Sequence, residues 1–440
     1  MPKSKPRKKK GRPARGKSRA RAPRLAEASG GLPPLDALVR TVLRGGRELL
    51  EREDPFEAEG WASQMLGLWF KVPIPPLDRF EFEKQIRIEV VESAARAGTP
   101  ETLAVVRAFA AMSPDPIAPM AHEAAERLAG GGIPDPLWTK ELGSAEFLDV
   151  WRLSDPYGDQ DGYYFTFRYP GREAHMLMAL VDNNIGGIVK DASAGTPLGD
   201  VREKAAAIEG GVVVDAEAGP AAAAILRAIE VGDQYLDNDW TDDFKKARAL
   251  LRARMHSLGP APLDDPREPL EPEERETIVK EFLASSGLPD HDVAIGIASA
   301  CVDYACDYTP DGDPFRWSPI VVECFLLGWL PRKMMLDTGE IRAMPSVMKA
   351  WIEFALKRRG LPHPLIEEPM AAIDPLMSEF RKLATDHSSF GPAKAIAAAM
   401  MADGIDMSDQ AAIDRWITEF NERPFNERDE LFGPPPFDDS

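Results

Sequence analysis

From Leu35 onward, apolar positions recur with a helical period. In LDALVRTVLRGGRELLERE, Leu35, Leu38, Val39, Val42, Leu49 and Leu50 fall near one face, and the Gly45-Gly46 pair predicts a kink. Pro55 opens a second helix in which Trp61, Met65, Leu68 and Trp69 keep the same spacing. EFEKQIRIEVVESAARAG predicts a third. Thr99-Pro100 starts a fourth, with Thr99 as N-cap and Pro100 at the first helical position. AHEAAERLAGGG gives a fifth, closed by its glycines. Residues 35–142 therefore read as a helical unit.

Near Phe147 the period changes. FLDVWRL, GYYFTFRYP, AHMLMALVD and IGGIVKDAS are short, rich in aromatic and branched residues, and bounded by turn formers. Asn183-Asn184 and Gly186-Gly187 suit a hairpin, since both residue types tolerate positive φ. A small antiparallel sheet over about 147–192 follows, to which GGVVVDAEAG could add a strand. Helices return in PAAAAILRAIEVG and DDFKKARALLRARM.

LGPAPLDDPREPLEPEE, residues 258–274, is rich in proline and acid and reads as a linker. Beyond it EERETIVKEFLASSG, HDVAIGIASACVDYAC, PIVVECFLLGWL, PSVMKAWIEFALKRRG and three further segments predict an all-helical domain over 275–430. Residues 431–440 form an acidic tail. The fold class expected is mainly α with a small antiparallel β-sheet (α+β): a unit over 33–257, the linker, and a second helical domain. The apolar run PIVVECFLLGWL has 12 residues, short of the roughly 20 that span a bilayer. It reads as a buried core helix, and no membrane partner is expected.

Charge changes this picture at one end. The chain carries 53 Lys and Arg against 72 Asp and Glu, a formal balance of −19. Residues 1–24 nonetheless hold twelve Lys or Arg and no acid, leaving 41 basic and 72 acidic residues in the other 416. Such a body repels polyanions while the arm attracts them. Residues 1–32 are low-complexity Lys, Arg, Ala, Pro and Gly, and are expected to be disordered. The arm lacks the apolar stretch of a secretory signal. Cys301, Cys306 and Cys324 match neither a disulfide framework nor a zinc pattern. A cytoplasmic protein is expected.

Several phrases resemble one another's counterparts in a known group: WASQMLGLW, DPYGDQDG, LVDNNIGGIVKDA, and DGDPFRWSPIVVECFLLGWLPRK followed by MPSVMKAWIEFA. On these the chain resembles a family of proteins from high-GC actinobacteria with no assigned activity. The resemblance spans most of the chain beyond the arm, implies a bacterial cytosolic protein and carries no mechanism with it.

Within the arm, Lys10-Gly11-Arg12-Pro13 resembles an AT-hook, whose core is Arg-Gly-Arg-Pro. Gly lets such a backbone press into a narrow A·T minor groove, Pro keeps it extended, and arginine occupies the negative potential there. Arg12 would insert, flanked by Lys8, Lys9, Lys10 and Arg15, with Lys17, Arg19 and Arg21 adding phosphate contacts. Lys10 lacks the guanidinium fork of the usual first arginine. Contact with DNA or RNA through phosphates is thus expected more than A·T preference. A solubilising tail, a ribosomal RNA contact and a start-site error are the plainer readings.

In the body, DPYGDQDG carries Asp155, Asp159 and Asp161, of which only Asp159 and Asp161 with the following Gly162 match an EF-type loop, Tyr157 standing where the first acid belongs; a solvated turn is expected. Alternation places His175 with Leu177, Ala179 and Val181, away from Asp182. Asp182, Lys190 and Asp191 form the candidate polar site, readable also as an ion pair. Glu323 and Cys324 lie in the apolar helix, so Glu323 is expected to pair with Arg316 or Arg332. Asp311-Gly312-Asp313-Pro314 reads as a turn, and Ser318 as an N-cap. No zinc-protease, P-loop, dinucleotide or serine-hydrolase motif is present. The leading expectation is a non-enzymatic interaction or regulatory protein with a nucleic-acid-contacting arm and no cofactor or metal. The alternatives are an enzyme or small-ligand protein using the hairpin carboxylates, and a protein-binding scaffold.

Overall fold

A computed structural model describes residues 35–71, 76–113, 116–196, 199–208, 211–234, 240–261, 270–289 and 291–424. The arm, part of the linker range and the acidic tail lie outside them. The helices of the first part are α1 (Leu35–Leu50), α2 (Pro55–Gly67), α3 (Pro76–Ala97), α4 (Pro100–Met112) and α5 (Ile117–Gly130). Strands β1 (Glu146–Ser154), β2 (Gln160–Arg168), β3 (Ala174–Asp182) and β4 (Ile188–Gly195) follow, then the short α6 (Val201–Ala206), β5 (Val212–Asp215), α7 (Ala218–Gln234) and α8 (Asp242–Ser257). The later helices are α9 (Pro272–Ser286), α10 (His291–Tyr308), α11 (Pro319–Glu323), α12 (Leu330–Lys333), α13 (Thr338–Arg358), α14 (His363–Thr385), α15 (Pro392–Ala402) and α16 (Gln410–Glu422). The chain is mainly helical around one small antiparallel sheet, the α+β class read from the sequence.

Local chemistry explains many of the boundaries. Thr99 caps α4 in a reciprocal box with Thr102, followed by Pro100. Ser318 accepts from the Val321 N–H and Pro319 follows it. Between α11 and α12, residues Cys324–Trp329 form a π-helical turn. Pro331 has no N–H to return to the preceding turn, and widening that turn relieves the clash of its ring with the carbonyl behind. PIVVECFLLGWL is therefore not one uniform buried helix: Ile320, Glu323, Cys324 and Gly328 face outward.

The Gly45-Gly46 pair does not interrupt α1. A Cβ on Gly46 would meet the Glu101 carbonyl at 2.4 Å, and one on Gly45 would meet the Trp61 ring at 2.6 Å. These glycines let α1 lie directly against α4 and α2, a packing requirement that reads in sequence like a hinge.

The sheet runs β4-β3-β2-β1-β5, every pair antiparallel. The pleat turns Phe165, Phe167, Leu177, Ala179 and Val181 to one face, where they join α2, α4, α7 and α8 in a single core. On the other face Trp151 stacks on Tyr164 with ring centroids 3.9 Å apart. A satellite core fills the space among α3, α4 and α5. A separate core unites α9–α14 around Phe282, Trp317, Phe325 and Trp351. One residue of the β-unit, Tyr157, belongs to this second core. A small cluster of Met400, Trp416 and Phe420 closes the end of the described chain. No helix among the described residues is long and apolar enough to cross a membrane.

Candidate functional site

The sequence points to the end of the sheet formed by the β1–β2 and β3–β4 connections. There the structure corrects the expectation of a solvated turn. Asp155 folds DPYGDQDG on itself, accepting from the Tyr157 and Gly158 N–H groups at 2.8 and 3.1 Å and from the Gln160 N–H at 2.5 Å. With Gly158 at φ +83°, this tight turn thrusts Tyr157 outward. Its hydroxyl lies 2.8 Å from the Leu365 carbonyl and 2.9 Å from Glu368 Oε2 on α14, while Arg359 donates to the Tyr157 carbonyl at 2.7 Å. The loop is a plug into the second helical core.

Arg316 completes the seam. Only 1% exposed, it donates to Asp159 at 2.9 Å and to Asn184 at 2.7 Å, and its Nε lies 2.8 Å from Asp311. Burial pushes the Asp159 carboxyl above its ordinary range, while the Ser318 hydroxyl and the Arg316 guanidinium pull it down. Glu323, expected to pair with Arg316 or Arg332, is instead exposed, as is Cys324. The outward face of α11 gives Glu323 water, and the guanidinium is spent on the β-unit.

The structure brings Asp182 and Lys190 together and leaves Asp191 apart. Asp182 Oδ2 accepts from Lys190 Nζ at 3.1 Å and from Gln160 Nε2 at 3.2 Å, and Oδ1 accepts from the Asn184 N–H at 3.0 Å. Pairing passes from Leu180–Asp191 to Val181–Val189, so Lys190 is the extra residue of a β-bulge. That bulge lets it reach Asp182. Asp191, in contrast, accepts from the Thr241 hydroxyl, and Thr241 in turn caps α8 by accepting from the Phe244 N–H at 3.0 Å. Asp161 accepts from Ser154 and from Asn183 at 3.1 Å. Among the described residues no group of His, Cys, Asp and Glu could hold a metal ion.

His175 sits on the inner sheet face with Leu177, Ala179 and Val181, as alternation requires. Its ring stacks on Phe56 at 4.2 Å and near Phe167 and Tyr169, and its Nε2 finds no hydrogen-bond partner. Burial, with Arg254 nearby, pulls its pKa down to about 4. The unfolded chain protonates this group near 6.5. Stability is thus full above pH 6.5 and declines as pH falls towards 4, by up to about 3 kcal/mol from this residue. His175→Phe is expected to keep the stacking and abolish that decline. Urea unfolding of both proteins from pH 4 to 7 measures it: the difference between them should grow as pH falls, and a constant difference would refute the assignment.

A second polar site lies between α3, α4, α7 and α8, where sequence reading found nothing. Glu83 and Arg87 pair on α3, and Arg248 of α8 pairs with Asp233 at the end of α7. Arg248 is also 4.0 Å from Glu83, and Arg252 lies 3.4 Å from Asp233. These five side chains line a cavity of about 420 Å³. The missed signal was KKARALLRARM, in which Arg248 and Arg252 recur four apart within an apolar helical pattern.

The fold and these two sites define a mainly α chain with two principal cores, joined through a loop plug and a buried arginine. Family models, curated proteins and solved structures gave no match to it.

Proposed function

We propose that this is a non-enzymatic interaction or regulatory protein whose basic N-terminal arm contacts nucleic acid, mainly through phosphates. The observation that carries the reading is the charge division: twelve Lys or Arg and no acid in residues 1–24, against 41 basic and 72 acidic residues in the rest. Electrostatic attraction to a polyanion is confined to the arm, and the acidic body limits how closely duplex can approach elsewhere. The geometry of the sheet end supports the same reading against the hairpin-carboxylate alternative. Asp155, Asp159, Asp161 and Asp182 each accept from internal donors, which spends the acids a general acid–base mechanism would use.

The arm residues singled out from sequence, Lys8 to Pro13, Arg15, Lys17, Arg19 and Arg21, lie outside the described residues. Their role is tested by substitution. Replacing Lys8, Lys9, Lys10, Arg12 and Arg15 with serine should weaken binding to A·T-rich and G·C-rich duplexes by similar factors, because phosphates carry no base identity. Unchanged binding in that variant would refute the proposal. Loss confined to the A·T-rich duplex would replace phosphate contact with minor-groove reading by Arg12.

A further inference from the structure

We propose that the cavity between α3, α4, α7 and α8 is a binding site for a small organic oxyanion, a carboxylate or phosphate head on a compact apolar body. Nothing in the nucleic-acid reading requires this site.

The charges alternate along one chain: Arg87, Glu83, Arg248, Asp233, Arg252. Three guanidinium groups face two carboxylates at close range, and the exposed Glu230 adds a further negative charge acting on Arg252. Arg87 and Arg248 are 6% and 5% exposed, while the Arg252 side chain is 28% exposed at the margin. Burying charge is costly unless it is paired and hydrogen-bonded. Hydrogen bonding in the cluster is incomplete on both sides: Asp233 Oδ1 is buried without a donor. The Nε–H groups of Arg87 and Arg248 are buried without an acceptor. Guanidinium forks match the two oxygens of a carboxylate or phosphate. Mutual repulsion is felt within the cluster: burial first, then Arg248, lowers the hold of both Arg87 and Arg252 on their protons.

The remaining walls set the shape of the ligand. Met112, Ile117 and Ala253 supply apolar surface, and Lys84 and His256 add positive or neutral nitrogen at the margin. At about 420 Å³ the cavity is of the size that holds small metabolites. A charged head against the arginines with an apolar body against α4 and α5 satisfies both halves of the lining.

The test uses the full chain, with acetate, octanoate and inorganic phosphate as probes at constant ionic strength and chloride as reference. Melting temperature and calorimetric binding are read. At least one probe should raise the melting temperature above chloride. Arg252→Gln, at the partly exposed end of the chain of charges, should weaken that binding about tenfold or more, with little change in unliganded melting temperature. Ala253→Leu, which fills space without touching charge, should weaken octanoate more than phosphate or acetate. Stabilisation by octanoate with none from phosphate identifies a carboxylate; the reverse identifies a phosphate ester. Stabilisation by no probe overturns the proposal. So does binding that Arg252→Gln and Ala253→Leu leave intact, because it would belong to the basic arm.

Discussion

Arg316→Met is expected to cost about 3 to 5 kcal/mol and to split a single urea transition into two. The arginine is the polar centre of the seam between the β-unit and the later helices: Asp159, Asn184 and Asp311 all converge on it. Methionine fills a similar volume but leaves Asp159, only 7% exposed, without its counter-charge. Removing one member of a buried pair is worse than removing both, since the survivor keeps its desolvation cost. The double variant Arg316→Met/Asp159→Asn should therefore recover part of the loss. Tyr157 would remain as the apolar plug, so the two cores should separate in stability while each still folds. A loss below about 1 kcal/mol, at the level of an exposed pair, would show that the seam does not depend on this residue.

Glu59→Ala should be comparably damaging, by about 3 to 5 kcal/mol, within the first core. Glu59 is fully buried on α2. Its Oε2 lies 2.5 Å from an Arg254 nitrogen on α8, and its Oε1 accepts from the Gly143 N–H at 3.2 Å. Arg254 also donates to the Tyr169 hydroxyl at 2.6 Å and lies over the Phe167 and Tyr169 rings. Through Arg254, one carboxylate thus ties α2, α8 and the end of the central strand β2 together. Alanine strands the Arg254 charge among aromatic rings, while Glu59→Gln keeps hydrogen-bonding atoms and should cost less. Chemical denaturation at pH 7 of Glu59→Ala, Arg254→Met and the pair gives the coupling directly. Additive losses would contradict a shared network.

How far such features could be read beforehand depended on whether their cause was local. Thr99-Pro100 and Ser318-Pro319 announce helix starts because the capping atoms lie within three residues of the groups they satisfy. His175 was placed on the correct sheet face because alternation is a property of the strand alone. The misses were all decided by distant partners. Gly45 and Gly46 face Trp61 and Glu101, a close approach that the sequence of α1 does not contain. Arg316 spends its charge on Asp159, 157 positions away, so Glu323 could not be its partner. Asp182 and Lys190 do pair across the hairpin, but Asp191 turns instead to Thr241, 50 positions away. The arginine-lined cavity needs α3, α7 and α8 to meet, although the i,i+4 arginines of α8 hinted at charge on an apolar face.

The most direct measurement is a salt titration of oligonucleotide binding by fluorescence anisotropy, comparing full-length protein with a chain beginning at Leu25. If the arm neutralises about six to ten phosphates, affinity should fall about 10³- to 10⁵-fold between 50 and 200 mM salt, and the shortened chain should not bind. Equal binding by the two proteins, or a flat salt dependence, would contradict the account.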